Sequence, residues 1–191
     1  MKVVAFNCSP RKGGNTERML GTVLDALEAE GIGTELVQVG GEDIHGCRAC
    51  GTCRRNADGR CVFDDDIVNS CYAKMVEADG IVIGSPTYFA DLTPEAKALI
   101  DRCGYVARGN GNPLRRKVGA SVCVARRAGS IHVLDSINHF FTINEMVLVS
   151  SSYWAMSLSG ARGDYEKDDE GLRTMEVLGE NMAWALKRLR D

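Results

Sequence analysis

The feature that most constrains this chain is a unit that recurs: a short apolar run, a polar loop, then a stretch with helical spacing. Lys2 to Asn7 (KVVAFN) is the first run. Met19, Leu20, Val23, Leu24 and Leu27 then recur along Thr16 to about Glu30 as one helix face, and Gly31 stands beyond it as a C-cap. Thr34 to Val39 (TELVQV) alternates and predicts a second strand. After a long connection, Asp64-Asp65-Asp66 offers an N-cap and acidic first turn to a helix that turns Val68, Cys71, Tyr72, Met75 and Val76 inward. Ile81 to Ser85 (IVIGS) is continuously apolar, as in a strand buried on both faces. Pro94 fits the first turn of a helix through Asp101, with Ala96, Leu99, Ile100 and Cys103 inward. Strands joined through crossover helices run the same way, so this order predicts a parallel sheet.

The second half continues the alternation. Gly104 to Arg116, rich in Gly, Asn and Arg, reads as an irregular surface connection. Lys117 to Ala125 is the fourth strand, Ser130 to Phe141 a helix with Leu134, Ile137 and Phe141 on one side, and Asn144 to Ser150 the fifth strand. A polar segment, Ser151 to Asp168, precedes a last helix from Asp169 to Arg190 marked by Leu172, Met175, Leu178, Met182, Ala185 and Leu189. Five strands alternating with five helices predict a doubly wound α/β sheet of order 2-1-3-4-5 with helices on both faces. Its ligand site lies beyond the carboxyl ends of the strands, lined by the loops after strands 1, 3 and 4. With no repeat or linker in 191 residues, one domain is expected over 1–191, carrying a cysteine-rich insertion at about 40–63.

The formal net charge of -3 leaves no basic footprint for nucleic acid. No apolar run approaches the roughly 20 residues of a membrane span. The N-terminus passes directly into a strand without the hydrophobic region of a secretory signal, so a cytoplasmic location is expected. In such a reducing compartment the eight cysteines serve better as metal ligands, buried small hydrophobes or redox groups than as disulfides.

Half of them stand together: Cys47, Cys50, Cys53 and Cys61 form C-x2-C-x2-C-x7-C. Thiolates so spaced on a tight loop can converge on a multi-iron centre. Zinc usually takes two separated C-x2-C hooks. A redox dithiol leaves two cysteines unexplained, and a loop that holds no metal is the remaining alternative. Cys8, Cys71, Cys103 and Cys123 read as small buried hydrophobes. His45, His132 and His139 have no ligand or triad spacing.

The loop after the first strand offers Ser9, Arg11, Asn15 and Thr16 beside the free N–H groups of a helix N-terminus, an arrangement that suits a phosphate, with an ordinary polar turn as the alternative. It matches neither the nucleoside-triphosphate loop nor the dinucleotide fingerprint. After the third strand, Pro86, Thr87, Tyr88 and Phe89 can flank a flat heterocycle or simply cap the core. Arg126 to Gly129 adds backbone donors after the fourth strand, with Arg126 and Arg127 either solvated or facing a nicotinamide cofactor's phosphate.

Together FNCSPRKGGNT, CRACGTC with its fourth cysteine, and IVIGSPTYFADLTPEAKALIDR resemble the flavodoxin-like NAD(P)H-dependent FMN reductase family, most closely its iron-sulfur flavoprotein branch, over nearly the whole chain. The resemblance implies FMN, with its phosphate on Ser9, Arg11, Asn15 and Thr16 and its ring held by Pro86, Thr87, Tyr88 and Phe89 with the loop from Arg126 to Gly129. It also implies a [4Fe-4S] cluster on Cys47, Cys50, Cys53 and Cys61, although the last gap is long for the branch and Val62, not Pro, follows the fourth cysteine. The expected function is a flavin-dependent oxidoreductase in which cluster and FMN exchange electrons, the flavin carrying the chemistry without catalytic side chains. Ferredoxin or NAD(P)H is the expected partner and a homodimer or homotetramer the expected assembly. The alternatives are a cluster-free NAD(P)H-dependent FMN or quinone reductase, and a flavin-free protein whose zinc loop recognises a partner.

Overall fold

In the computed structural model, which describes residues 1–189, the alternation builds one parallel sheet. Strands β1 (Lys2–Asn7), β2 (Gly33–Gln38), β3 (Gly80–Pro86), β4 (Val118–Ala125) and β5 (Val147–Leu148) lie in the order β2-β1-β3-β4-β5, and a further short strand, β6 (Met156–Leu158), pairs with β4. Because side chains alternate along a strand, the sheet feeds two separate core layers. Val3 and Ala5 point to one, where α1 (Asn15–Ala29) and α6 (Asp169–Leu189) bury Leu20, Val23, Leu178 and Met182. Val4 and Phe6 point to the other, closed by α3 (Val68–Glu77), α4 (Pro94–Gly109) and α5 (Ser130–Ile143) with Met75, Leu99 and Ile137. Arg190, predicted as the end of the last helix, lies outside the described residues. No helix among the described residues is long and apolar enough to cross a membrane.

Three expectations need correction. The connection predicted from Gly104 is helix as far as Gly109, because Val106 and Ala107 extend the buried stripe of α4 despite the glycines. The fifth strand is split. Only Val147 and Leu148 of the predicted Asn144–Ser150 segment pair with β4, at Val118 and Gly119, and the chain then leaves the sheet. The vacated length of that edge, beside Cys123 to Ala125, is filled by β6 from a segment predicted as a polar loop. An edge position is set by what the neighbouring strand leaves unpaired, and three residues are too few to show a period. Third, the cysteine insertion contains a short helix, α2 (Thr52–Asn56), between two left-handed residues, Gly51 and Ala57.

A 3-10 turn, Asp164–Lys167, returns the chain to α6. Its Tyr165 is buried, and the phenol hydroxyl hydrogen-bonds the Thr22 hydroxyl of α1 at 2.9 Å, tying this turn to the first helix. Removing the hydroxyl in Tyr165→Phe leaves the ring's packing intact and deletes the bond to the Thr22 hydroxyl, which keeps its own donation to the Arg18 carbonyl. The expected loss is about 1 kcal/mol, read as a lower urea midpoint with an unchanged denaturant slope.

Candidate functional site

The loops at the carboxyl ends of β1, β3 and β4 lie side by side, since those strands are neighbours and parallel. The first loop is shaped from beneath by two side chains. Asn7, the fully buried last residue of β1, accepts from the Ser9 N–H at 3.1 Å and donates to Gln38 at 2.7 Å, while Gln38 donates to the Ser9 carbonyl at 2.8 Å. Ser9 is thus fixed through its backbone. Its hydroxyl accepts from the Arg11 N–H at 3.3 Å and keeps its own proton for a ligand. Gly14, the residue capping α1, offers no side-chain acceptor, so the first-turn N–H groups of this 15-residue helix stay open to an anion. Thr16 is buried in that first turn and Arg11 is exposed beside it.

The Asn15 side chain also reaches across the chain. Its amide donates to the Ala161 carbonyl at 2.7 Å and its oxygen accepts from the Gly163 N–H at 2.9 Å. The side chain therefore fastens the 161–163 turn over the first loop. From that turn Arg162 donates to the carbonyls of Gly13 and Lys12, each at 3.2 Å, which brings a guanidinium to the rim of the anion site. Neither Asn7, Gln38 nor Arg162 stood out in the sequence, because the first two are ordinary strand residues and the third comes from a polar segment far along the chain. Glu17 also reaches the loop, accepting from the Gly13 N–H at 2.6 Å.

The second loop folds into a tight reversal. Tyr88 and Asp91 exchange backbone hydrogen bonds at 2.7 and 3.0 Å, and the two residues between them, Phe89 (φ 48°) and Ala90 (φ 64°), are both left-handed. Such turns ordinarily use Asn or Gly, and L-residues there cost on the order of 1–2 kcal/mol each. Phe89 is held at the tip with its side chain wholly exposed, and Tyr88 is exposed beside it. An aromatic displayed on strained backbone at a strand's carboxyl end is not capping the core, the alternative left open by the sequence. Thr87 is committed: its N–H donates to the Val124 carbonyl at 2.8 Å, and its hydroxyl lies 3.3 Å from the Cys123 sulfur. Pro86 is half-buried at the end of β3. The third loop leads into α5, whose capping residue Gly129 also provides no side-chain acceptor, while Arg126 is exposed. α4, in contrast, is capped by Thr93. Two uncapped helices, α1 and α5, thus flank the crevice.

The cysteine insertion lies along α4, on the α3–α5 side of the sheet. Its two ends meet: His45 and Phe63 stack edge to face at 5.4 Å, and the Arg48 guanidinium stands 4.4 Å from the Phe63 ring centre. Asn69 of α3 accepts from the Cys61 N–H at 2.8 Å, and Asn110, just past α4, donates to the Cys53 carbonyl at 3.3 Å. Cys53 is buried, Cys61 half-buried, and Cys47 and Cys50 are exposed. The Ala49 N–H donates to the Cys47 sulfur at 3.4 Å. Asp64, Asp65 and Asp66 precede α3 instead of forming its first turn. Only Asp66 reaches a helix N–H, that of Val68 at 3.1 Å, and its other carboxylate oxygen pairs with buried Arg102 of α4.

Among the described residues no three cysteine sulfurs approach within 4.8 Å of one another; the group that does is His45, Asp65 and Asp66. Thiolates bound at about 2.3 Å to one zinc ion stand about 3.8 Å apart, so the four sulfurs are not arranged for a single ion. The surroundings do fit an acceptor-rich centre. The Tyr72 hydroxyl and the Arg102 Nε–H are buried without a hydrogen-bond partner; Tyr72 packs in the same cluster as Cys53 and Cys61, and Arg102 holds the His45 and Phe63 carbonyls that flank the four cysteines. Buried donors left unpaired cost about 1–3 kcal/mol each, and sulfur acceptors on this loop would satisfy them.

The other four cysteines are buried, as expected for small hydrophobes. Burial pushes their thiols up, those of Cys71 and Cys123 to about 12, so they remain protonated. Exposed Cys50 is shifted down, chiefly by hydrogen bonds from the Thr52 hydroxyl and N–H, with Arg55 assisting. A lowered thiol pKa enlarges the thiolate fraction at any given pH below it. In iron-free protein, iodoacetamide is therefore expected to modify Cys50 well before the buried four. Its rate-against-pH midpoint should lie below that of a free thiol and move up in Thr52→Val, as followed by peptide mass mapping.

Residues 1–160 match the family described as NADPH-dependent FMN reductase. An iron-sulfur flavoprotein of Methanocaldococcus jannaschii is 35% identical over all of both chains. One of Methanosarcina thermophila is 32% identical over all of this chain and 97% of its own. Among solved structures, RosB with a bound intermediate superposes with a TM-score of 0.80 at 19% identity, covering all of this chain and 80% of that one. A flavodoxin from the domain Archaea gives 0.64 at 16% identity over 98% and 99% of the two chains. At these identities the solved structures speak for the fold alone.

Proposed function

Since this chain belongs to the NADPH-dependent FMN reductase family, we propose that it is a flavin-dependent oxidoreductase of the iron-sulfur flavoprotein kind, binding FMN in the crevice and a [4Fe-4S] cluster on its cysteine loop. The observation that carries the flavin reading is the meeting of two uncapped helix N-termini and the strained aromatic turn at the ends of three adjacent strands. The Ser9 hydroxyl, the first turn of α1, Thr16 and Arg11 would bind the phosphate dianion. Asn15 and Arg162 act on it by holding the covering turn. Pro86, Thr87, Tyr88 and Phe89 would position the ring, with Arg126 to Gly129 along its other edge. FMN, when bound, supplies hydride or single-electron chemistry, and a cluster supplies single electrons only.

Cys47, Cys50, Cys53 and Cys61 would ligate the cluster, with Tyr72 and Arg102 supplying buried donors around it. The insertion packs against its own α4 while Cys47 and Cys50 stay exposed, an arrangement that leaves its outer face open to a redox partner or to a second copy in a homodimer or homotetramer. A ferredoxin-type donor suits a cluster-loaded protein; NAD(P)H suits a cluster-free one. Anaerobic titration separates these readings. Flavin bleached by reduced ferredoxin, and much more slowly by NADPH, supports the cluster-loaded form. Rapid bleaching by NADPH with no iron present supports the cluster-free reductase. A protein that neither binds nor quenches added FMN overturns the flavin reading and leaves the partner-recognition alternative.

A further inference from the structure

We infer that Arg102 is the positioning residue of the cysteine loop, a buried cation that clasps both ends of the loop and biases the electron affinity of the centre its cysteines hold. The inference rests on the cluster reading above. Arg102 is only 1% exposed, the largest fully buried side chain among the described residues, and it lies within α4, on a face that the insertion covers. One guanidinium nitrogen donates to the His45 carbonyl at 3.4 Å and pairs with Asp66; the other donates to the Phe63 carbonyl at 2.9 Å. His45 lies two residues before Cys47, and Phe63 two residues after Cys61. A single planar fork therefore closes the loop at its base, ordering the segment before any ligand binds and so lowering the ordering cost that ligation must meet.

Fold stability alone is a poor account of this arrangement. Burying an ion pair costs several kcal/mol per charge in desolvation, and a packed apolar pair would serve the helix as well or better. The third donor decides the matter. The Arg102 Nε–H is buried and has no protein partner, and the same guanidinium is hydrogen-bonded to the Phe63 carbonyl, two residues from Cys61. Reduction adds negative charge to a thiolate-bound centre, and a nearby cation in a poorly screened interior favours the reduced form. Asp66, on the other side of the same guanidinium, opposes it. Lysine would keep the charge but not the rigid fork that serves two carbonyls at once.

The test uses the full chain purified anaerobically, as wild type, Arg102→Gln, Arg102→Lys and Asp66→Asn, with FMN, iron and sulfide per chain and the midpoint potential of the reduced cluster's electron-spin signal measured on each. Wild-type FMN content is expected throughout. Arg102→Gln should retain about tenfold less iron after a fixed chelator challenge. Its remaining cluster should shift about tenfold toward the oxidised form, about 59 mV more negative for one electron. Asp66→Asn should move the potential the opposite way. Arg102→Lys should lose iron while keeping a potential near wild type. Arg102→Gln with wild-type iron and potential overturns the inference, as do shifts of the same sign in Arg102→Gln and Asp66→Asn, the mark of a merely structural role. Should Arg102→Gln fail to fold, judged by absent FMN, unchanged iron in Arg102→Lys overturns it. Wild type holding FMN but no iron defeats the cluster reading itself, and this inference with it.

Discussion

Gly40→Ala is expected to leave a protein that no longer retains FMN. Gly40 follows β2 and passes against the first crevice loop so closely that an added Cβ would lie 2.2 Å from the Ser9 carbonyl carbon, 2.5 Å from its oxygen and 2.6 Å from the Cys8 carbonyl carbon. These are backbone atoms and cannot rotate away. The loop is also pinned at Ser9 by Asn7 and Gln38, so relief requires moving the very residue whose hydroxyl faces the proposed phosphate. Losing two charge-assisted hydrogen bonds at about 1.5–3 kcal/mol each corresponds to at least about 100-fold weaker binding. Overpacking adds about 1–3 kcal/mol of lost stability. Gly31→Ala is the control. It is left-handed, at φ 76°, but nothing lies within 4 Å of its added Cβ. It should cost about 1 kcal/mol and bind FMN normally. Quenching of FMN fluorescence on titration, beside urea unfolding, reads both effects.

The second large effect is confined to iron. Cys50 is exposed and its side chain is not part of either core layer. Cys50→Ala should therefore leave the stability of iron-free protein within about 0.5 kcal/mol of wild type and leave FMN binding intact, because all three crevice loops are remote from it in sequence. Iron in anaerobically purified protein should nevertheless fall from cluster stoichiometry to background, since three thiolates on a solvent-facing loop hold a cubane poorly. Unchanged iron would remove Cys50 from the ligand set. Cys53→Ala is less informative, because Cys53, on α2, is buried in the core layer that α3, α4 and α5 close, and its loss disturbs packing as well as ligation.

Much of this architecture was legible in the chain. Residues that form the central strands are continuous apolar runs, and the helices that cover them carry their buried positions at helical spacing, so the order and direction of the sheet followed. The crevice loops were legible because they are where those runs stop. What escaped was decided by tertiary contact. β6 exists because β5 leaves part of an edge unpaired. Phe89 and Ala90 adopt left-handed backbone that neither residue type prefers. Asn15 carries the amide expected at a phosphate loop and also bonds residues 161 and 163, a contact across the length of the chain. Arg102 stands just past the helix predicted through Asp101, and nothing in the sequence singles it out. It is buried only because the cysteine insertion folds back across α4 and brings Asp66 to meet it.

The most direct test is an anaerobic absorption spectrum with iron, sulfide and flavin quantified on the same wild-type sample. The account predicts one FMN per chain with its blue-region absorption, a broad brown shoulder, and iron and sulfide each near four per chain, as one cubane requires. Colourless protein, unchanged by added FMN and free of iron and sulfide, would contradict it.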